Sequence, residues 1–468
     1  MRVVKKINLN VLQMDSLIQP EKNFDIIKRN IKIGGTRESY MYYVDGFLKD
    51  EMMQEIMRFM LLTTPDAIAS IKSEKEYLST LMPYPEITLL NNIDDVIFEV
   101  LSGSVALFVD DFEECIIIDV RQYPQRNIQE PEKDKVLRGA KDGFIETLIF
   151  NIALIRRRVR NKDFMSEYIS VGSVSKTDVV VCYMKGEADQ KLVDKIKEKL
   201  NKLDVKTLTM GSQSLTEAMQ TKKWINPFPK VRFTERPDVA SASILEGKIL
   251  ILVDNTPSAI ILPTYFFDFF EEAQDFYFSP PISGFLRISR FFIVLMSLLL
   301  TPLWLLAINN MDKLPDYLHF LNVQESNSIP IIFQLLALEF IIHLLKSASI
   351  NTPSMISNSI SLVGAIIIGD IAVTTKLIVP EAMLYSGVVA IAYFSQTSYE
   401  MGYAIKFMRV IILILVAIFN VWGFIAGIVL TIITIASNKA IIGENYLYPL
   451  IPFNYKDFKR MFIRRKNG

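Results

Sequence analysis

The chain has 468 residues, with 51 basic and 51 acidic side chains, and half of its residues are hydrophobic. That apolar content excludes intrinsic disorder, and only two cysteines, Cys115 and Cys182, exclude a secreted disulfide scaffold. With His319 and His343 as the whole histidine complement, a multi-histidine metal site is excluded too, and no metal or cofactor is expected.

Charge is distributed unevenly. Residues 291–437 carry 12 charged side chains in 147 positions, and the other 321 positions carry 90. This pattern predicts a water-soluble α/β portion followed by an all-α polytopic membrane portion. Residues 1–20 hold basic residues without a continuous apolar run, so they do not read as a signal peptide and the first portion is expected in the cytosol. Residues 1–290 have a net charge of −3, which gives no ground for nucleic-acid binding.

The first portion reads as two subdomains, residues 1–164 and 165–286. In the first, Met52, Met53, Ile56, Phe59 and Met60 recur at helical spacing and predict a helix over 49–62. Strands are predicted at 105–109 and 115–120, around an acidic turn. A loop rich in Pro, Asn and Gln follows at 123–131, and a helix over 142–160 closes the subdomain. In the second, strands are predicted at 179–183, 205–208, 248–253 and 259–262, and helices at 189–203, 214–220 and 237–245. Alternation of strands and helices predicts layers around a sheet.

The membrane portion, 287–437, opens after Arg287 and Arg290 with 18 uncharged residues, 291–308. Residues 410–436 are uncharged throughout and could cross with a bend near Gly423 and Gly427. Three less apolar stretches lie between, near 330–347, 354–377 and 382–400. The tail, 438–468, is basic through Lys456, Lys459, Arg460, Arg464, Arg465 and Lys466, which places both termini in the cytosol. Both ends inside requires an even number of crossings, so one of the five stretches is expected to be re-entrant, broken or peripheral, and 330–347 is the weakest.

Polar residues in these apolar stretches are the candidate functional residues. Glu339, His343 and Lys346 share one helical face, continued by Ser347 and Ile350, and a second polar stripe follows with Asn351, Thr352, Ser354, Asn358 and Ser361. Asp370 lies deep in the next apolar run, and Glu400 precedes Lys406 and Arg409. An ionisable group at membrane depth must face water or a partner, so the stripe reads as a pore lining or as an internally paired helix interface. Acids outnumber bases here, which in a conducting path favours cations. Residues 276–281, with Phe276, Pro280 and Pro281, read as a stiff connector coupling the soluble portion to the first span.

Other motifs are weak. Residues 172–177 contain the Lys-Thr of a phosphate loop, but Ser170 and Ser175 stand where glycine is required. Arg156, Arg157, Arg158 and Arg160 could dock anionic head groups or a partner's acid patch, or could sit at a solvated helix end. No catalytic constellation is present in the sequence, so no enzyme activity is expected.

The run Arg138-Gly139-Ala140-Lys141-Asp142-Gly143-Phe144-Ile145-Glu146-Thr147, followed by Asn151-Ile152-Ala153-Leu154-Ile155-Arg156-Arg157-Arg158, resembles the A subunits of spore germinant receptors. So do the prolines before the first span and Asn351-Thr352-Pro353. Similar stretches at 130–136, 234–238, 252–259, 398–409 and 448–454 extend the resemblance over nearly the whole chain. It implies a multi-pass protein of the spore inner membrane acting in germination. Receptor A subunits look like subunits of an oligomeric, ligand-gated cation channel whose nutrient is sensed by a separate B subunit. By that analogy the chain forms a homo-oligomer, works with a small membrane partner protein and other germination proteins, and promotes release of ions and dipicolinate. The alternative is a non-conducting scaffold or regulator of the germination machinery.

Overall fold

A computed structural model of the protein describes residues 1–82, 84–122, 139–220, 226–324, 329–351, 374–442 and 445–462. They form two units, one built from residues 1–222, 231–264 and 441–443, the other from 223–230, 265–440 and 444–468.

The first unit contains two five-stranded sheets, and every strand pairing in them is antiparallel. Its elements begin with helix α1 (Ile7–Ile18), strands β1 (Ile26–Ile33) and β2 (Arg37–Val44), and helices α2 (Asp50–Leu62), α3 (Pro65–Ser70) and α4 (Glu74–Thr80). Strand β3 (Ile87–Leu90), helix α5 (Ile93–Leu101) and strands β4 (Val105–Val109) and β5 (Cys115–Ile118) complete the first sheet, in the order β1-β2-β4-β5-β3. Alternation along β4 divides the core. Ala106 and Phe108 join α1 and α5 on one face, while Val105, Leu107 and Val109 join α2, α3 and α4 on the other. The result is the layered arrangement expected of an α/β fold. Side-chain caps set the starts of α3, α4 and α5, where Thr64, Ser73 and Asn92 accept from the Ala67, Glu76 and Asp94 N–H groups.

The second sheet has the order β6-β7-β9-β10-β8. It comprises helix α6 (Leu148–Arg156), strands β6 (Phe164–Val171) and β7 (Thr177–Met184), helices α7 (Gln190–Asn201) and α8 (Gly211–Met219), strand β8 (Arg232–Thr234), helix α9 (Pro237–Leu245), and strands β9 (Ile249–Val253) and β10 (Ala259–Leu262). Helices α7 and α8 bury Val193, Ile196, Leu200 and Leu215 against one face.

Two expectations change here. The helix predicted over 142–160 is only α6. The Asn151 side chain bonds both the N–H and the carbonyl of Ile145, and Asp254 accepts from the Leu148 N–H at 3.3 Å, which holds the preceding chain extended. Residues 205–208 form no strand. Their backbone carbonyls at Val205 and Lys206 instead accept from Ser173 and Val174, bracing the β6–β7 turn. The phosphate-loop fragment is that turn, with Gly172 at φ +96° and no helix after it to supply an anion site.

The second unit is helical: α10 (Pro280–Asn309), α11 (Ile331–Asn351), α12 (Pro380–Phe394), α13 (Tyr399–Ser437) and α14 (Tyr455–Phe462). Among the described residues three helices are long and apolar enough to cross a membrane, within α10, α11 and α13. The stretch at 330–347, expected to be re-entrant, broken or peripheral, is unbroken helix through Ala348, so it is not the broken one.

The irregularity lies in α13. Asn420 has φ 52° and ψ −125°, and there the helix turns back on itself. A Cβ added at Gly427 would lie 3.3 Å from the Ile412 Cβ, and one at Gly423 would collide with the Leu415 carbonyl. In a straight helix, positions 412 and 427 would be about 22 Å apart. The uncharged run at 410–436 is therefore a hairpin of two antiparallel arms, with Gly423 and Gly427 at the points of closest approach.

Candidate functional site

Helix α11 carries the polar stripe read from the sequence. Glu339 and Lys346 are each 5% exposed, while His343 is half-buried, with its ring edge-on to Tyr403 at 6.0 Å. Glu339 meets Arg409 of α13 in a two-pronged pair. Nε donates to Oε1 at 2.6 Å and Nη2 to Oε2 at 2.9 Å. Lys406, one turn earlier, lies 3.7 Å from Oε2 and donates to the Glu339 backbone carbonyl at 2.9 Å. The remaining guanidinium nitrogen of Arg409 reaches α10, donating to the Ser297 carbonyl and, at 3.0 Å, to its hydroxyl. Arg409 is 1% exposed. One buried carboxylate thus ties three helices together, and its geometry is the planar fork that suits arginine.

A charge without water needs such a partner, because desolvation costs several kcal/mol per ion. Glu339 is mated rather than wetted. Glu400 lies exposed in the first turn of α13, where an acid complements the helix dipole. The side chain of Asn351, together with Asn358 and Asp370, lies outside the described residues. Among the described residues, no group of three His, Cys, Asp or Glu side chains could hold a metal ion.

The connector has its own cluster. Phe276 ends a 3-10 turn, Ala273–Phe276, and Pro280 and Pro281 open α10 after Ser279. Beneath them Asp275, fully buried, accepts from Arg290 at 2.7 Å and from Arg287 at 3.3 Å. Arg290 also pairs with Glu272 at 2.7 Å, and Arg287 with Glu271 at 2.8 Å. The two arginines, three apart on α10, therefore do more than mark the edge of an apolar run. They pin the acidic segment before α10 to its first turns. The spacing of Arg287 and Arg290 after three acids in five residues, 271–275, is the signal the sequence carries.

The arginine run in the first unit divides: Arg157 and Arg160 are exposed at the end of α6, as a solvated helix end requires, whereas Arg156 departs from both expectations. Arg156 is fully buried and grips Asp25 with Nε and Nη2 at 2.8 and 2.9 Å, its guanidinium 4.3 Å from the Phe164 ring centroid. Ser166 donates to the same carboxylate. Arg158 pairs with Asp142 at 2.6 Å. Arg156 is a bolt between the two sheets, neither a docking group nor a solvated helix end.

The sequence of residues 14–467 matches the family model described as Bacillus/Clostridium GerA spore germination protein. Stage V sporulation protein AF of Bacillus subtilis (strain 168) is 37% identical over 464 residues, covering 95% of this chain and 92% of that protein. Spore germination protein KA of the same organism is 28% identical, covering 94% and 81%. The crystal structure of the N-terminal domain of the A subunit of the Bacillus megaterium spore germinant receptor GerK3 superposes with a TM-score of 0.44 at 23% identity, over 57% of this chain and 98% of that one. The family match spans nearly the whole chain, soluble and apolar portions alike, and the chain belongs to the GerA spore germination protein family.

Proposed function

We propose that the chain is a multi-pass protein of the spore inner membrane, with both termini in the cytosol, and that it acts in germination as a subunit of an oligomeric cation channel. In this reading it assembles with further copies and a small membrane partner, and promotes release of ions and dipicolinate. Family membership and three apolar helices support the membrane setting. The observation that carries the subunit reading is the closed charge cluster. Glu339 is neutralised inside one copy, so a single copy offers no wet acid at that position and a conducting path needs neighbours. The outer faces of α10, α11 and α13 expose Phe292, Phe340 and Trp422, which suit lipid or another copy. Asn358 and Asp370 are then the amide and acid to test as pore lining, with Glu339 and Arg409 as the brace that fixes the helices.

The second reading is a non-conducting scaffold or regulator, and the same pairing favours it, since a fully matched carboxylate meets every need of a static bundle. Reconstitution separates the two. Purified chain in liposomes, alone and with its small partner, is expected to pass potassium, with Asp370→Ala changing the flux while the protein still incorporates. A complete lack of flux in both preparations rejects the channel and leaves the scaffold.

A further inference from the structure

Lys346 differs from the other buried cations of the helical unit. Among the described residues it makes no hydrogen bond and no ion pair, although it is 5% exposed. Its ammonium faces rings instead. Nζ lies 3.7 Å from the centroid of Tyr393, 4.8 Å from those of Tyr399 and Tyr403, and 5.9 Å from that of Phe394. A second cation, Lys406, lies 5.8 Å from the same Tyr393 ring, and among the described residues no ion pair accounts for the position of Lys346.

A lysine in the last turns of an apolar helix ordinarily stretches toward water. Lys346 turns into the box formed by the end of α12 and the start of α13. Rings converging on one ammonium are the arrangement by which proteins hold organic cations, and the attraction grows as water is removed. An unused acceptor sits alongside. Among the described residues, neither buried amide atom of Gln396 has a hydrogen-bond partner. A Cβ built on Gly402 would meet Gln396 Oε1 at 2.9 Å and Tyr393 Cε2 at 3.1 Å, so the amide and the ring flank the same point.

We propose that Tyr393, Phe394, Tyr399 and Tyr403 form an ammonium-binding site, filled in this state by Lys346 as a tethered ligand, and that a small primary ammonium ion takes the same place when the tether is removed. Occupancy by Lys346 latches the end of α11 to the α12–α13 turn. The site stands on its own geometry and holds whether or not the protein conducts.

The test is chemical rescue in the full-length protein in nanodiscs. Lys346→Ala removes the atoms of n-propylammonium. Adding n-propylammonium chloride is expected to raise the unfolding temperature of this variant saturably, by about 2–4 °C. Sodium chloride at equal ionic strength should not, and neither wild type nor Lys346→Ala/Tyr393→Leu should respond to the amine. No saturable shift in Lys346→Ala, or an equal shift without Tyr393, overturns the site. Should Lys346→Ala not fold, an amine-reactive reagent is applied to the protein with Lys346 intact. Tyr393→Leu should then raise labelling of Lys346, relative to exposed Lys313, by about tenfold. Unchanged labelling overturns the site equally.

Discussion

Glu339 has two cations for one carboxylate, and Arg409 has two helices for one guanidinium, so removing Glu339 strands Arg409, and removing Arg409 costs Glu339 both of its short hydrogen bonds and leaves it only Lys406 at 3.7 Å. Arg409→Ala or Glu339→Ala should each destabilise the helical unit by about 3–5 kcal/mol. The double replacement Glu339→Leu/Arg409→Leu should cost clearly less than the sum, because the guanidinium and the carboxylate leave together and only Lys406 loses its acid. Denaturant unfolding of the four proteins in detergent measures this, and single costs under about 1 kcal/mol would show that water reaches the pair. Glu339 was legible as an acid in an apolar helix, whereas its partner was not, since Arg409 lies 70 residues on. The same blindness hid Asp25, 131 residues from Arg156. Local sequence shows that a buried charge needs a partner, and only the fold shows which. The two thiols are simpler. Burial pushes both Cys115 and Cys182 up from the usual thiol range. In the unfolded chain they ionise near about pH 8.5. Because the folded values are raised, their contribution to stability is intact below that pH and is lost as pH rises above it. Alkylation of the native protein at pH 8 should therefore leave both cysteines unmodified, with full modification only on unfolding.

At the scale of elements, the hairpin in α13 is the departure of greatest consequence. Periodicity over 410–436 describes one long span, because no charge interrupts it and Asn420 is a single polar residue in apolar surroundings. What turns the chain is the Asn420 backbone, held by reciprocal amide bonds with Asn310, one of them at 3.1 Å. What lets the arms close is the absence of side chains at Gly423 and Gly427. Cysteines at 412 and 427 provide the decisive measurement. The 3.3 Å between the Ile412 Cβ and a Cβ at 427 is near the span of a disulfide, which an unbent helix could not approach. Ile412→Cys/Gly427→Cys should cross-link within one chain on mild oxidation, and the buried native thiols need no replacement. Failure to cross-link would restore the single span. Strands β1 and β6 escaped notice for a different reason. Strand β1 alternates weakly, with Lys28, Arg29 and Asn30 on consecutive positions, because it is an edge strand whose outward face remains wet. Buried strands such as β4 and β10 have no such freedom and were read to within a residue.

Across the whole molecule, the uneven distribution of charge becomes a statement about sides. Helix α10 runs from the acidic cluster at Asp275 to Asn309, and Asn310 bonds the hairpin turn at Asn420. Both ends of α13 return to the end where α10 begins. Thr397 donates to the Phe269 carbonyl, and Asn438 donates to the Phe228 carbonyl at 3.3 Å, with Phe228 packed on Phe266. Helix α12 begins at the far end, where the Val379 N–H donates to Gln334 near the start of α11 at 2.8 Å. Residues 311–322 and the Asn420 turn therefore share one side, and Ser395, Thr397 and Lys439 share the other. With these helices in a bilayer, an impermeant thiol reagent should label Asp312→Cys from one face of sealed vesicles and Lys439→Cys only from the opposite face. Both positions are exposed, so accessibility within the protein does not limit either reaction. Labelling of both from the same face would mean that α10 and the hairpin lie along the membrane rather than through it. The Glu339–Arg409 brace would then sit at an interface, where water could replace the guanidinium.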